Sequence, residues 1–413
     1  MMNARETAFN IVYGIIYEDK YSNMFIESNM SKADLSVKDR GFCMNLSLGT
    51  IKNSIYLKHL LSKYIKDMSK LQPKLLVILE LGIYQNVFMD KVPEYAIADE
   101  CCNLAKKIIG RNSASFVNGV LRNFFRAEYK DDKELPPYIR YSCTKEAYDV
   151  LVRSLGKDEC IGVLKKFNMP SDTYVRINTH FHDQDAVIES LTGEGYTVLE
   201  TGSGMLKIKG ILSPMASSAY KDGAIYVQDE GAQSIADSTD VKEGMDVLDA
   251  CAAPGGKSIA IADMMKNTGH ITACDATPSR VALMESFIKR SGFTNIKCYT
   301  KDMAVPVPEF NESFDRVLID APCSGLGVAG KRPEIKLKYR SSADLIKTQK
   351  ALLKACSDYL RKDGMLVYGT CTLNKDENEG VIHDFLSSDD RFALIGESNE
   401  EGFYCAKMHK QKA

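Results

Sequence analysis

The sequence predicts a multidomain chain: an all-helical N-terminal domain, a small α+β unit, and a C-terminal α/β domain of Rossmann-like alternation. Three observations carry this. The chain has 413 residues, too many for one ordinary hydrophobic core. Apolar residues repeat at helical spacing through the N-terminal region, where turn signals are rare. From about residue 226 short apolar strands alternate with long helical stretches, the pattern of a parallel sheet covered on both faces by helices.

Residues 1–127 read as helical throughout. Ala8, Ile11, Val12, Ile15 and Ile16 share one helical face, as do Leu75, Ile78, Leu79 and Ile83. A linker is expected at 128–140, where Lys130-Asp131-Asp132-Lys133-Glu134 precedes Pro136 and Pro137. Residues 141–225 form the small α+β unit. It has a strand at Tyr174–Asn178, a helix from Asp183, and strands at Tyr196–Leu199 and Met205–Ile208. In 226–413 the strands are Met245–Leu248, Ile271–Cys274, Ile296–Tyr299, Val317–Ile319 and Met365–Tyr368, with Ser342–Leu360 among the helices between them. Ligands of such sheets bind beyond the carboxyl ends of the strands.

Composition narrows the class. The chain is 45% hydrophobic and 26% charged, as a soluble globular protein is. Its net charge of -2 places any nucleic-acid surface in a local patch rather than in a general basic excess. Its 12 cysteines include no Cys-x-x-Cys, and the chain lacks the density of a secreted disulfide scaffold. Residues 1–21 have no apolar signal-peptide centre, and no apolar run approaches the roughly 18 residues of a membrane span. The expectation is a cytoplasmic, monomeric protein with reduced thiols, no membrane association and no metal; His180 and His182 read as surface residues.

The motifs lie at the strand ends. Asp249-Ala250-Cys251-Ala252-Ala253-Pro254-Gly255-Gly256-Lys257-Ser258 follows a strand and opens a helix. Small residues there let backbone approach a ligand, and a helix start offers unpaired N–H groups. It is neither a dinucleotide fingerprint nor a phosphate loop, which requires glycine where Cys251 stands. Asp275 ends the next strand, where a carboxylate can accept both hydroxyls of a ribose. Asp302 follows the third strand and can accept from an adenine amino group.

Asp320-Ala321-Pro322-Cys323-Ser324-Gly325 follows the fourth strand and Gly369-Thr370-Cys371-Thr372 the fifth. Both bring a cysteine to the edge of the sheet beside the expected pocket. Cys43, Cys101, Cys102, Cys160, Cys298 and Cys356 read instead as small buried hydrophobes, and Cys251 and Cys274 as packing near the pocket.

Together these motifs resemble the bacterial 16S rRNA cytosine-C5 methyltransferase B family, also called the Sun or Fmu family. Val227-Gln228-Asp229-Glu230 and Glu377-Asn378-Glu379 add to the likeness. The N-terminal helices are similar to the NusB-type RNA-binding fold, through Leu48-Gly49-Thr50-Ile51 and Phe116-Val117-Asn118-Gly119-Val120-Leu121-Arg122. The middle unit resembles the family's small RNA-recognition domain around Val175-Arg176-Ile177-Asn178. The resemblance implies a Rossmann-like catalytic domain that takes S-adenosylmethionine, held by 251–257, Asp275 and Asp302, with Asp320 between cofactor and base. It implies that Cys371 is the nucleophile and that Cys323 assists product release. Lys257 is expected to position substrate or cofactor. Lys331 and Arg332, in the basic segment Lys331–Lys336, are expected to hold RNA phosphate.

The implied chemistry gives two thiols a purpose. Carbon 5 of cytosine is a poor nucleophile until a thiolate adds at carbon 6, and the site must favour that thiolate. Asp320 is expected to donate a proton to ring nitrogen 3. A base then removes the carbon-5 proton and the enzyme sulfur leaves.

Two departures from the family pattern stand out. Ser142-Cys143-Thr144-Lys145-Glu146-Ala147-Tyr148 replaces the usual His-Pro-x-Trp, and the C-terminal part before Glu401-Gly402-Phe403-Tyr404 reads as shortened. Two other readings stay open: a phosphate-loop NTPase around Gly255-Gly256-Lys257-Ser258, and a non-catalytic RNA-binding assembly factor. Cys251 weighs against the first, and intact Cys323 and Cys371 against the second. Transfer RNA is the rival substrate within the class; the NusB-like helices favour small-subunit rRNA.

Overall fold

The computed structural model describes residues 2–20, 22–90, 92–127, 129, 134–202, 204–210 and 213–411. The chain divides into two compact units. One comprises the residues up to Ser171 together with Ala329–Arg340; the other comprises Asp172–Val328 and the residues from Ser341 onward.

The N-terminal unit is helical, as its apolar spacing requires. Asn3 caps the helix Ala4–Tyr17 by accepting from the Glu6 N–H at 2.9 Å, and Ser36 caps Val37–Lys52. The helix Pro73–Phe88 starts at a proline, whose missing N–H costs nothing there. It is buried almost all round from Leu76 to Gln85, which makes it the hub of the unit. Ile11, Ile15, Leu46, Leu57, Leu61 and Leu121 close the core around it. The helices Lys145–Leu155 and Lys157–Asn168, expected in the α+β unit from residue 141, group with this unit instead. Lys130–Lys133 of the expected linker lie outside the described residues.

The unusual segment after the linker is built into this unit. Ser142 is buried, and its hydroxyl accepts from the Tyr56 N–H at 2.9 Å. Thr144 caps the helix Lys145–Leu155 by accepting from the Ala147 N–H.

The second unit holds two sheets. The smaller is antiparallel, with β1 (Thr173–Ile177), β2 (Thr197–Gly202), β3 (Met205–Lys209) and β4 (Ile225–Val227) in the order β2-β3-β1-β4. The helix Gln184–Gly193 lays Val187 and Leu191 against Val175, Ile177, Leu206 and Ile208. Arg176 and Asn178 turn inward. The Arg176 guanidinium pairs with the Asp263 carboxylate at 3.0 Å, with both side chains buried, and the Asn178 amide donates to the Ser291 carbonyl at 2.7 Å. These bonds tie the small sheet to the helices Gly256–Met264 and Pro278–Ser291.

The larger sheet has seven strands: β5 (Asp246–Asp249), β6 (His270–Asp275), β7 (Ile296–Thr300), β8 (Phe314–Asp320), β9 (Leu360–Thr370), β10 (Phe392–Glu400) and β11 (Phe403–Lys410). Their order is β10-β11-β9-β8-β5-β6-β7. The expected parallel sheet is therefore mixed: β5 to β9 run parallel, and a C-terminal hairpin adds β11 antiparallel to β9. The two-residue turn Glu401-Gly402 closes that hairpin with positive φ at both residues, the geometry that matches strand twist.

Alternate residues of β8 serve opposite faces. Val317 and Ile319 pack with Leu352, Leu353 and Phe385 of the helices Ala343–Ser357 and Glu379–Ser388. Leu318 packs with Ile259, Met284 and Ile235 on the other face. The strand order reverses at β5, between β8 and β6, so the ligand crevice belongs beyond the carboxyl ends of β5 and β8. Among the described residues no helix is long and apolar enough to cross a membrane.

Candidate active site

Five strands deliver the candidate residues to that carboxyl edge. Asp249 closes β5, Asp275 closes β6, Asp302 follows β7, Asp320 closes β8 and Cys371 follows β9. Parallel pairing sets Asp320 against Gly369 in register, so the segments that leave β8 and β9 start side by side. Those segments carry the two cysteines. Their Sγ atoms lie 3.4 Å apart, and the Cys371 N–H points at the Cys323 sulfur from 3.3 Å. Cys323 is held as a thiol: its hydrogen bond to Cys371, burial, and the neighbouring charges push it well above the ordinary thiol value.

The glycine-rich turn meets the switch point of the sheet. The Ala250 N–H donates to the Leu318 carbonyl and the Ala252 N–H to the Cys274 carbonyl, both at 2.8 Å, so the turn is pinned to β8 and β6. Gly255 stands at φ 106° immediately before the helix Gly256–Met264, a conformation that L side chains rarely adopt. From that helix the Lys257 ammonium reaches the Asp320 carboxylate at 2.6 Å. Burial lowers the affinity of Lys257 for its proton, but the charge and hydrogen bond of Asp320, aided by Asp249, outweigh burial and leave it raised. Asp320 remains 30% exposed, open enough to meet a ligand.

Asp249 is fully buried and accepts from the Ser258 hydroxyl at 2.7 Å. Burial raises its carboxyl to about 7. Asp275 is buried at its strand end, accepts from the Thr277 N–H at 3.0 Å and pairs with Arg280 at 3.0 Å. Arg280 also donates to the Ala253 carbonyl at 2.8 Å, which joins Asp275 to the glycine-rich turn. Asp302 is exposed, with its carboxylate turned back to the Ala304 N–H.

The residues present fit a nucleoside-bearing methyl donor. Gln228 Oε1 and Asp249 Oδ1 are buried beside the turn without a partner in the protein; Gln228 Oε1 is 3.5 Å from where a Cβ on Gly256 would stand. Lys331 and Arg332 fall in the segment that groups with the N-terminal unit, where Arg332 lies 3.6 Å from Glu334.

The basic segment is only partly what the sequence suggested. Lys336, at its end, is fully buried. Its ammonium donates to the carbonyls of Lys52 at 2.9 Å and Tyr141 at 2.5 Å and to Asn168 Oδ1, and so does not face a phosphate. Of the cysteines read as buried, Cys43, Cys101, Cys160 and Cys356 are so, whereas Cys102 and Cys298 are half-exposed.

Sequence reasoning assigned no role to the residues that hold the two cysteine loops together. Glu377 is fully buried and accepts from Ser324, Gln349 and Asn374. The Ser324 and Thr372 hydroxyls meet at 2.8 Å, and the Gln349 amide also donates to the Pro322 carbonyl. The only signal for Glu377 was its place in a recognised triplet. Gly327 and Gly402 touch backbone to backbone, since a Cβ on either would strike the carbonyl of the other; the hairpin turn thus closes over the loop that follows Cys323.

A parallel core with a glycine-rich turn at its switch point, a lysine–aspartate pair and two apposed thiols define a Rossmann-like methyltransferase. Residues 238–412 match the family model described as 16S rRNA methyltransferase RsmB/F, and residues 2–126 match the NusB family. The chain is 32% identical over 393 residues to a probable ribosomal RNA small subunit methyltransferase B of Bacillus subtilis, covering 93% of this chain and 88% of that one. It belongs to the ribosomal RNA small subunit methyltransferase B family. Among solved structures, PH0851 superposes with a TM-score of 0.85 at 24% identity, covering 100% of this chain and 99% of that one. NSun6 from Pyrococcus horikoshii with SFG has a TM-score of 0.59 at 23% identity, over 65% of this chain and 99% of that one. At these identities the likeness speaks for the fold. The methyl donor of the family is S-adenosylmethionine.

Proposed function

We propose that this protein methylates carbon 5 of a cytosine in 16S ribosomal RNA through a covalent cysteine–cytosine intermediate. The observation that carries the reading is the pair of sulfurs 3.4 Å apart at the ends of neighbouring strands, on the same edge as the Lys257–Asp320 pair. The relatives' names support the choice of RNA.

When bound, S-adenosylmethionine supplies an electrophilic methyl group; the turn 251–257, Asp275 and Asp302 hold it. Cys371 as thiolate adds to carbon 6 of the cytosine. Asp320 relays a proton from the Lys257 ammonium to ring nitrogen 3, so that the charge entering the ring is neutralised. Carbon 5 is then nucleophilic enough to take the methyl group. A base takes the carbon-5 proton, the nitrogen-3 proton returns to Asp320, and the ring double bond re-forms as the carbon–sulfur pair returns to Cys371. Cys323, the sulfur nearest Cys371, assists this release. A target cytosine inside a helix is flipped out to reach the thiol. Lys331 and Arg332 hold phosphate.

The test is transfer of tritium from labelled S-adenosylmethionine to purified small-subunit rRNA, with nuclease mapping of the label. Label on carbon 5 of one cytosine supports the proposal. Label on transfer RNA alone keeps the chemistry and removes the substrate; label nowhere, with cofactor still bound, removes both.

A further inference from the structure

Glu377 is a buried acid whose environment answers all of its acceptor capacity. One carboxylate oxygen accepts from the Ser324 N–H at 2.9 Å and the Gln349 amide at 3.1 Å; the other accepts from the Ser324 hydroxyl at 2.5 Å and the Asn374 amide at 3.0 Å. A carboxylate offers about four lone-pair sites, and here each has a donor. The donors come from three separate stretches of chain. Ser324 follows Cys323, Asn374 lies just beyond Cys371, and Gln349 is on the helix Ala343–Ser357. The Glu377 carbonyl is fixed in turn by the Tyr368 hydroxyl at 2.8 Å. This carboxylate therefore joins the two cysteine loops.

We propose that Glu377 is the positioning residue of the dithiol, an anion that clamps the Cys323 loop onto the Cys371 loop and sets the distance between the sulfurs. This rests on the reading of Cys323 and Cys371 as the reacting pair. Its charge also acts on Cys323, where it adds to the forces that keep the thiol protonated. Glutamine has the shape of Glu377 but presents an NH2 group where one carboxylate oxygen stood. It turns that group toward donors, and the contacts made through that oxygen are lost.

The test reads the geometry directly. Diamide takes one hydrogen from each of two neighbouring thiols, is itself reduced to the hydrazine, and leaves the two sulfurs joined. The rate at which it links Cys323 to Cys371 in the folded full-length protein, followed by peptide mapping, reports their separation without any methyl transfer. For Glu377→Gln the linking rate is expected to fall at least tenfold and kcat at least a hundredfold, with KM for S-adenosylmethionine within about twofold of wild type. A melt that is lowered while the folded variant links its cysteines at the wild-type rate would reduce Glu377 to a packing residue and overturn the proposal. If Glu377→Gln does not fold, Ser324→Ala removes one donor and is expected to slow linking at least threefold; an unchanged rate overturns the proposal there too. Should linking respond as expected while no RNA is methylated by the wild-type protein, the clamp stands and the proposed reaction falls.

Discussion

In the proposed mechanism Cys371 and Cys323 share a contact but not a role, and single-atom substitutions separate them. Cys371→Ser is expected to abolish methyl transfer, by at least about four orders of magnitude, while S-adenosylmethionine binding by calorimetry stays within twofold. Cys323→Ser is expected to stall release, so that a protein–RNA adduct accumulates on denaturing electrophoresis. Lys336 is a residue of another kind. Its three N–H bonds meet three oxygens, so Lys336→Met leaves three acceptors unserved and costs about 3 kcal/mol of stability. Burial lowers its folded-state value to about 7, below the ordinary 10.5.

At the scale of elements, a few buried polar bonds decide which parts stay attached. Asp263 serves the buried Arg176 guanidinium and also accepts from the His180 N–H at 2.8 Å and the Thr179 hydroxyl at 2.9 Å. Asp263→Ala strands a buried cation and is expected to cost about 3–5 kcal/mol in urea unfolding, with much of it recovered when Arg176 is also made apolar. Much of this architecture was legible beforehand, and the exceptions have physical causes. Of the five parallel strands, β5, β6, β8 and the end of β9 are largely buried, and their short apolar runs stand out from the helices between them, whereas β7, at the sheet edge, is mostly exposed. β10 runs along the sheet edge with Leu394 and Ile395 exposed, so its sequence lacks the alternation that marks a half-buried strand, and the hairpin went unseen. Cys323 and Cys371 were readable because each follows a strand within a turn-forming motif. Lys336 was not: a lysine in a basic tract reads as solvated, and only tertiary packing supplies the three oxygens that bury it. Glu377 was read only as part of a triplet, since Ser324 and Gln349, which give it its role, come from distant stretches of chain.

For the whole molecule, the two compact units do not follow one break in the chain. Ala329–Arg340 leaves the catalytic unit between Val328 and Ser341 and is counted with the N-terminal helices. There Leu337 packs on the helical core, Lys338 donates to the Ile15 carbonyl, and the Lys336 carbonyl accepts from the Thr144 N–H. A fragment of residues 1–171 is therefore expected to unfold at lower urea than the same helices in the full chain, and fusion of 329–340 to its end is expected to restore the difference. Equal midpoints would mean that the segment contributes no net stability.

This threading also sets a timetable for synthesis. The N-terminal helices leave the ribosome first, yet the piece that fills the hollow bounded by Lys52, Tyr141 and Asn168 is made much later. At roughly 5–20 residues per second the delay between Ser171 and Ala329 is on the order of 10–30 s. For that interval the nascent chain carries a nearly finished helical unit with three unanswered oxygens at its heart, waiting for the lysine from downstream.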